Sequence, residues 1–343
     1  MNDRVRERLT ALANGGESHV CVPVQGSGTF AVEATLGTLV PRSGTLLVLV
    51  NGAYGRRMVQ ACRSMGRPVE FVEWPEDEPV DSDVLRTRLV EDSSISHVAV
   101  VHCETTSGIL NPLSAIARVT AEAGRHLLVD AMSTFGALDV DVRDLPATAV
   151  MASSNKCLQG VPGMGFALID RDVLQSCEGN AHSLSLDLYE QWRGFENNRQ
   201  WRFTPPTHVI AALAQALDEH ADEGAVAGRG RRYANNHRVL VEGMEALGFR
   251  CLLEHYLQAP IIVTFLMPAD EMFDFHRFYE LLSDQGFLIY PGKLTVADSF
   301  RIGCIGDLDE GVMRAALRAV ESAMRNLGVE SGAPATTPPP QDD

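Results

Sequence analysis

The chain predicts an α/β fold: a mainly parallel central sheet covered by helices, followed by a smaller α+β C-terminal domain. Five short apolar runs carry this reading, residues 45–50, 97–101, 127–129, 149–151 and 164–169. Each is hydrophobic almost without interruption, as strands buried on both faces are. Amphipathic helical stretches lie between several of them, the pattern of βαβ units. The rhythm then changes near residue 225, which divides the chain into a large domain over 1–225, a small one over 226–329 and a proline-rich disordered tail over 330–343.

The first strand signal, Val22-Pro23-Val24, passes through Gly26 and Gly28 into a helical stretch with Phe30, Ala34 and Leu36 as expected core contacts. This turn is a candidate anion cup. Backbone N–H groups at a helix N-terminus, with the hydroxyls of Ser27 and Thr29, suit a phosphate, and the helix dipole adds to the attraction. The motif is weak by itself, and it lacks the glycine and acid offsets of a dinucleotide fingerprint.

The run at 127–129 ends on Asp130, and the run at 149–151 leads into Ser153-Ser154-Asn155-Lys156-Cys157 before a glycine/proline turn. A helix and short loop are the expected crossover between two such parallel strands. Acid and lysine would then share the carboxyl edge of the sheet, where open α/β folds hold their ligands. A lysine amine that condenses with an aldehyde and an acid that partners a pyridinium nitrogen together match pyridoxal phosphate chemistry. Lysine suits the task because its ammonium loses a proton readily once desolvated. Taken alone, the two residues equally suit a helix-capping acid and a solvated loop lysine.

Further along, a long helix is expected from Thr207 to the glycine-rich stretch 223–230, and a second over 231–247. Strands are expected at 260–265 and 286–290. A final helix spans about 308–327, opened by a capping-box-like Asp307 and Glu310, with Val312, Ala316, Ala319, Val320, Ala323 and Leu327 on one face.

Composition bounds the function. With 343 residues, 45% hydrophobic, the chain can bury a large core without disulfide staples. A net charge of -16 argues against a nucleic-acid or anionic-membrane surface, so an anionic substrate must be drawn by local groups. The seven scattered cysteines read as reduced thiols; Cys103 and Cys157 adjoin candidate site residues, so a catalytic thiol is weighed beside an apolar filler. The histidines show no paired helical spacing for a metal. With no signal-peptide pattern and no membrane-length apolar run, a cytoplasmic enzyme is expected.

Seven segments in order carry a resemblance: 25–34, 51–55 (Asn-Gly-Ala-Tyr-Gly), 102–108 (His-Cys-Glu-Thr-Thr-Ser-Gly), 130–133, 155–157, 202–208 and 290–295. Together they resemble the class V (alanine:glyoxylate type) aminotransferases, and within them the 2-aminoethylphosphonate:pyruvate aminotransferases, over nearly the whole chain from about residue 5 to residue 329. The resemblance implies a fold-type I pyridoxal 5'-phosphate transferase with amine and keto-acid substrates, and phosphonoacetaldehyde and alanine as products. It implies Lys156 as the cofactor-bonding lysine, Asp130 as the pyridinium partner, and Ser27, Gly28 and Thr29 as the phosphate cup. Tyr54 would stack on the ring, Thr105 would lie near its phenolic oxygen, and Asn155 would neighbour the phosphate. Thr204 would reach the cofactor phosphate of a partner subunit, which implies a homodimer with active sites at the interface. Arg301 would bind the substrate's anionic group, with Arg202 and Lys293 as weaker candidates of the same kind. The family also carries a further N-terminal stretch with a glycine-proline segment near the site, so a truncated, non-catalytic homologue is one alternative. Another class V aminotransferase acting on alanine or serine is the other.

Overall fold

The computed structural model describes residues 1–292 and 297–335. Lys293, Thr295 and the expected tail beyond residue 335 lie outside the described residues. The chain forms two compact units, one of residues 1–104 and 110–230, the other of residues 105–109 and from Arg231 onward.

The first unit opens with α1 (Asn2–Leu12), β1 (His19–Gln25), α2 (Gly28–Leu39), β2 (Thr45–Val50), α3 (Ala53–Ser64), β3 (Val69–Glu73), α4 (Ser82–Glu91) and β4 (Ile95–Val101). The short strands β5 (Cys103–Glu104) and β6 (Ile109–Leu110) precede α5 (Leu113–Glu122), β7 (His126–Asp130), β8 (Ala149–Ser153) and β9 (Met164–Asp170). Then come α6 (Arg171–Gln175), α7 (Leu188–Asn198), α8 (Thr207–Asp222) and the start of α9 (Ala225–Ala246).

Seven strands make one sheet in the order β1-β9-β8-β7-β4-β2-β3. Strands β3, β2, β4, β7 and β8 run parallel, β9 is antiparallel to β8, and β1 is antiparallel to β9. The carboxyl ends of β1, β2, β4, β7 and β8 therefore meet at one edge. Both sheet faces are covered: in β2, Leu47 and Leu49 join one apolar cluster, while Leu46, Val48 and Val50 join the other. Period-two alternation between two buried faces is what an unbroken apolar run encodes.

Three expectations for residues 1–230 need correction. The crossover from β7 to β8 contains no helix; residues 131–148 form turns and bury Phe135, Val140, Val142 and Leu145 directly in the core. Phe30 is 48% exposed rather than in the core, because its ring lies over Gly26, where a Cβ would come within 2.6 Å of it. The glycine-rich stretch does not break the chain before Arg231, since α9 already begins at Ala225 and contains Gly228 and Gly230. Those glycines are close-approach positions: a Cβ at Gly230 would lie 2.4 Å from the Ala137 carbonyl oxygen.

The second unit holds the rest of α9 with β10 (Ile262–Leu266), α10 (Phe275–Ser283), β11 (Tyr290–Pro291), β12 (Ser299–Gly303) and α11 (Glu310–Leu327). Its antiparallel sheet has the order β10-β12-β11. Phe249, Phe265, Phe278 and Phe300 are fully buried and pack ring against ring. The strand expected at 286–290 reduces to Tyr290 and Pro291, paired with Arg301 and Phe300. Asp309, not Asp307, caps α11 by accepting from Val312 N at 3.0 Å. Gly332 and Ala333, placed in the expected tail, are instead bonded to the second unit: Gly332 N donates to Leu247 O and Ala269 N to Ala333 O.

Candidate active site

The segment expected as an anion cup folds as a glycine turn from β1 into the N-terminus of α2. Gly26 turns the chain out of β1 with φ +116, a conformation that favours glycine, and its N–H donates to Gly163 O at 3.0 Å. Ser27 is the N-cap of α2, yet its side chain makes no capping bond. Phe30 N donates back to Ser27 O at 3.0 Å, and the Ser27 hydroxyl stands beside the N–H groups of Gly28 and Thr29 at the helix start, the arrangement that binds anions.

Asp130 ends β7 and is buried, with Oδ1 accepting from Met132 N at 2.9 Å. Burial pushes its carboxyl up to about 6; the Met132 N–H and the charges of Arg57 and Lys156 pull it partly back. Lys156 follows β8 in a turn held by several bonds. Ser154 Oγ donates to Val161 O at 2.7 Å, Gly160 N to Ser154 O at 2.8 Å, Gln159 N to Lys156 O at 2.9 Å, and Cys157 Sγ to Ser133 O at 3.1 Å. Lys156 is one of only two lysines in the chain, against 29 lysines and arginines together.

Tyr54 lies in the first turn of α3, just past the carboxyl end of β2. The carboxylate of Glu104, fully buried, accepts from Tyr54 N at 3.0 Å and Gly55 N at 3.3 Å. One turn on, the Arg57 guanidinium lies 4.8 Å from the centre of the Tyr54 ring.

These groups enclose a cavity of about 220 Å³. Seven sequence-predicted site residues line it: Ser27, Gly28, Thr29, Tyr54, Asp130, Asn155 and Lys156. Arg57, Met132 and Ser133 line it too and escaped the sequence reading. Arg57 was within reach of helical periodicity, since it stands three residues after Tyr54 on α3 and shares its face. Cys103 is also in the wall, but burial raises its thiol well above the ordinary range and that of Cys157 to about 12, so both are protonated. Neither has the lowered pKa of a nucleophilic cysteine.

Four predicted residues are not part of this lining. Thr204 is exposed in the first unit, and its carbonyl accepts from Gln25 Nε2 at 2.6 Å. Thr105 and Arg301 belong to the second unit, where Arg301 Nη1 donates to Thr105 O at 2.6 Å and Nη2 to Pro291 O at 3.2 Å. Arg301 is buried on β12, with Tyr290's ring 5.8 Å from its guanidinium carbon. Arg202 donates to Leu184 O at 3.1 Å at the surface of the first unit.

The lining suits pyridoxal phosphate. It presents a buried acid for a ring nitrogen, a primary amine for an aldehyde, an aromatic face, and an uncapped helix N-terminus with a spare hydroxyl for a phosphate. Among the described residues, no helix is long and apolar enough to cross a membrane.

Comparison with known proteins agrees. Residues 2–322 match the family described as Aminotransferase class-V. The chain is 52% identical to 2-aminoethylphosphonate--pyruvate transaminase 2 of Burkholderia lata over 326 residues, covering 95% of this chain and 87% of that protein. It is 51% identical to 2-aminoethylphosphonate--pyruvate transaminase of Pseudomonas putida, covering 95% and 88%. Among solved structures, ureidoglycine-glyoxylate aminotransferase from Bacillus subtilis superposes with TM-score 0.87 at 21% identity, over 96% of this chain and 86% of that one. Pyridoxamine-pyruvate aminotransferase from Mesorhizobium loti gives TM-score 0.87 at 23% identity, over 96% and 85%. The chain belongs to the class V aminotransferase family.

Proposed function

We propose that this enzyme moves the amino group of 2-aminoethylphosphonate to pyruvate, giving phosphonoacetaldehyde and L-alanine. The aminotransferase reaction and its cofactor, pyridoxal phosphate, come with the family. The phosphonate donor is supported by about half-identity to the Burkholderia lata and Pseudomonas putida transaminases across 95% of the chain. The observation that carries the site is the meeting of Asp130 and Lys156 in one cavity at the carboxyl edge of the sheet.

When bound, the cofactor supplies an electron sink for the substrate's amine-bearing carbon. Lys156 is the general acid/base: its amine removes the proton from that carbon and later returns one. Asp130, as the carboxylate, holds the ring nitrogen protonated through an opposite charge in a dry site. Ser27, Gly28 and Thr29 hold the phosphate through hydroxyls and helix N–H groups, with Asn155 beside them. Tyr54, in the cavity wall, would cover a face of the ring and exclude water from it. Thr105 is assigned to the ring's phenolic oxygen, and Arg301 to the donor's anionic group, a planar fork suited to phosphonate or carboxylate oxygens.

The working unit we propose is a homodimer in the cytoplasm, with Thr204 reaching the partner's cofactor phosphate. Resemblance to the family supports this.

Spectral titration of the purified holoenzyme tests the reading. 2-Aminoethylphosphonate should bleach the cofactor's long-wavelength band, and pyruvate should restore it. A carboxylate donor such as alanine or serine that outruns the phosphonate overturns the substrate assignment, and no spectral response to any donor overturns the reaction.

A further inference from the structure

We propose that Arg229 is a positioning residue for Lys156, acting from the start of α9 on the turn that carries the amine. The proposal rests on the reading of Lys156 as the cofactor-bonding lysine. Arg229 is among the largest fully buried side chains in the chain, at 2% exposure. One end of its guanidinium, Nη1, donates to the carbonyl oxygen of Cys157, the residue directly after Lys156. Its Nε donates to Glu223 Oε2 at 2.6 Å, so the buried charge is paired.

A buried arginine is costly unless its donors are satisfied, and here they meet a backbone carbonyl and a half-buried carboxylate. The surroundings are built to seat it. Gly228 and Gly230 flank it, and a Cβ at either would collide with backbone oxygen: 1.9 Å from Glu223 O and 2.4 Å from Ala137 O. Glycine on both sides lets the helix come close enough for the side chain to reach the turn. From the other side, Cys157 Sγ donates to Ser133 O at 3.1 Å. The residue after Lys156 is thus held at its carbonyl by Arg229 and at its side chain by Ser133, in the loop after Asp130.

Such a grip sets where the amine points relative to the reacting carbon. A displacement on the order of 1 Å costs roughly 10²-fold in rate. Arg229 touches neither cofactor nor substrate in this scheme, so its loss should lower kcat and leave donor KM within about twofold.

The test compares reconstituted wild-type, Arg229→Lys, Arg229→Met and Glu223→Gln enzymes by three readouts. Borohydride trapping with peptide mapping reports whether the cofactor is joined to Lys156; its absence in wild type would defeat the underlying reading and this proposal with it, whereas a failure of the proposal alone shows only in the variants. The pH titration of the bound cofactor's absorbance and the single-turnover rate with 2-aminoethylphosphonate then report the amine's placement. We expect trapping at Lys156 to persist in Arg229→Met, its rate to fall roughly 10- to 100-fold and the titration midpoint to move. Arg229→Lys should fall between, because one ammonium cannot reproduce the fork. A folded Arg229→Met with wild-type rate and midpoint overturns the proposal. If that variant does not fold, Glu223→Gln decides: a moved midpoint and slower turnover support the proposal, and wild-type values for both overturn it.

Discussion

Glu104 and Tyr54 are joined by a hydrogen bond that runs from a backbone amide to a buried carboxylate, Tyr54 N to Glu104 Oε2 at 3.0 Å. The acid sits at the positive end of α3, 50 residues away in sequence, and orients the first turn of a helix whose N-cap, Gly52, has no side chain to cap it. A carboxylate at a helix N-terminus contributes about 0.3 to 1 kcal/mol when exposed and up to ~2 kcal/mol when sheltered. Glu104→Gln should therefore cost up to about 2 kcal/mol of fold stability and, through the loosened first turn of α3, weaken cofactor retention by roughly 2- to 10-fold. Fluorescence titration of the apoenzyme with pyridoxal phosphate measures this; an unaltered dissociation constant would show that Tyr54 does not depend on the contact.

Lys156→Ala should lose turnover by roughly 10²- to 10⁴-fold, the range for removing a positioned proton-transfer group. Added small amines should restore part of it. Alanine formation in timed, quenched samples is the measurement, and an unimpaired variant would move the catalytic role to another group. The scarcity of lysine makes the result simple to interpret, since Lys293 is the only other side-chain amine.

Asp130 gives a prediction for the apoenzyme. Its folded-state carboxyl lies near 6 against an ordinary 3.8, so the folded chain binds the proton more tightly than the unfolded chain. That contribution is fully present below the unfolded value and is lost as pH rises through about 6. Above it, a buried carboxylate without its cofactor partner opposes folding. Asp130→Asn should accordingly raise the apoenzyme's Tm more at pH 8 than at pH 4, while abolishing transamination. Equal Tm changes at both pH values would argue against a buried, elevated carboxyl.

The histidines work in the opposite sense. Burial, helped by His126 4.8 Å away ring to ring, pushes His97 down to about 3 from 6.5, and burial takes His102 to about 4. The unfolded chain binds more protons between these values, so stability present above pH 6.5 declines as the solution is acidified toward 3. Each group can add a slope of up to about 1.4 kcal/mol per pH unit within its window. Urea unfolding of the wild type and His97→Asn at pH 7, 6, 5 and 4 should show a shallower decline for the variant. Parallel declines would remove His97 from the acid response.

Sequence alone located β2, β4, β7, β8 and β9 and put Asp130 and Lys156 at the carboxyl edge of their sheet. Ser27, Gly28, Thr29, Asp130 and Lys156 were legible because each closes an apolar run or opens a glycine turn, and those signals are local. Tertiary structure alone decided what steadies them. Arg229 reaches Cys157 across 72 positions and Glu104 reaches Tyr54 across 50, and no periodicity encodes which buried charge will meet which backbone group. The same holds for the glycines at 228 and 230, which propensity reads as breakers but which a crowded backbone requires inside a helix. Local pattern records what a segment can form; close packing between distant segments records which of its groups are held, and that depends on atoms the segment does not contain.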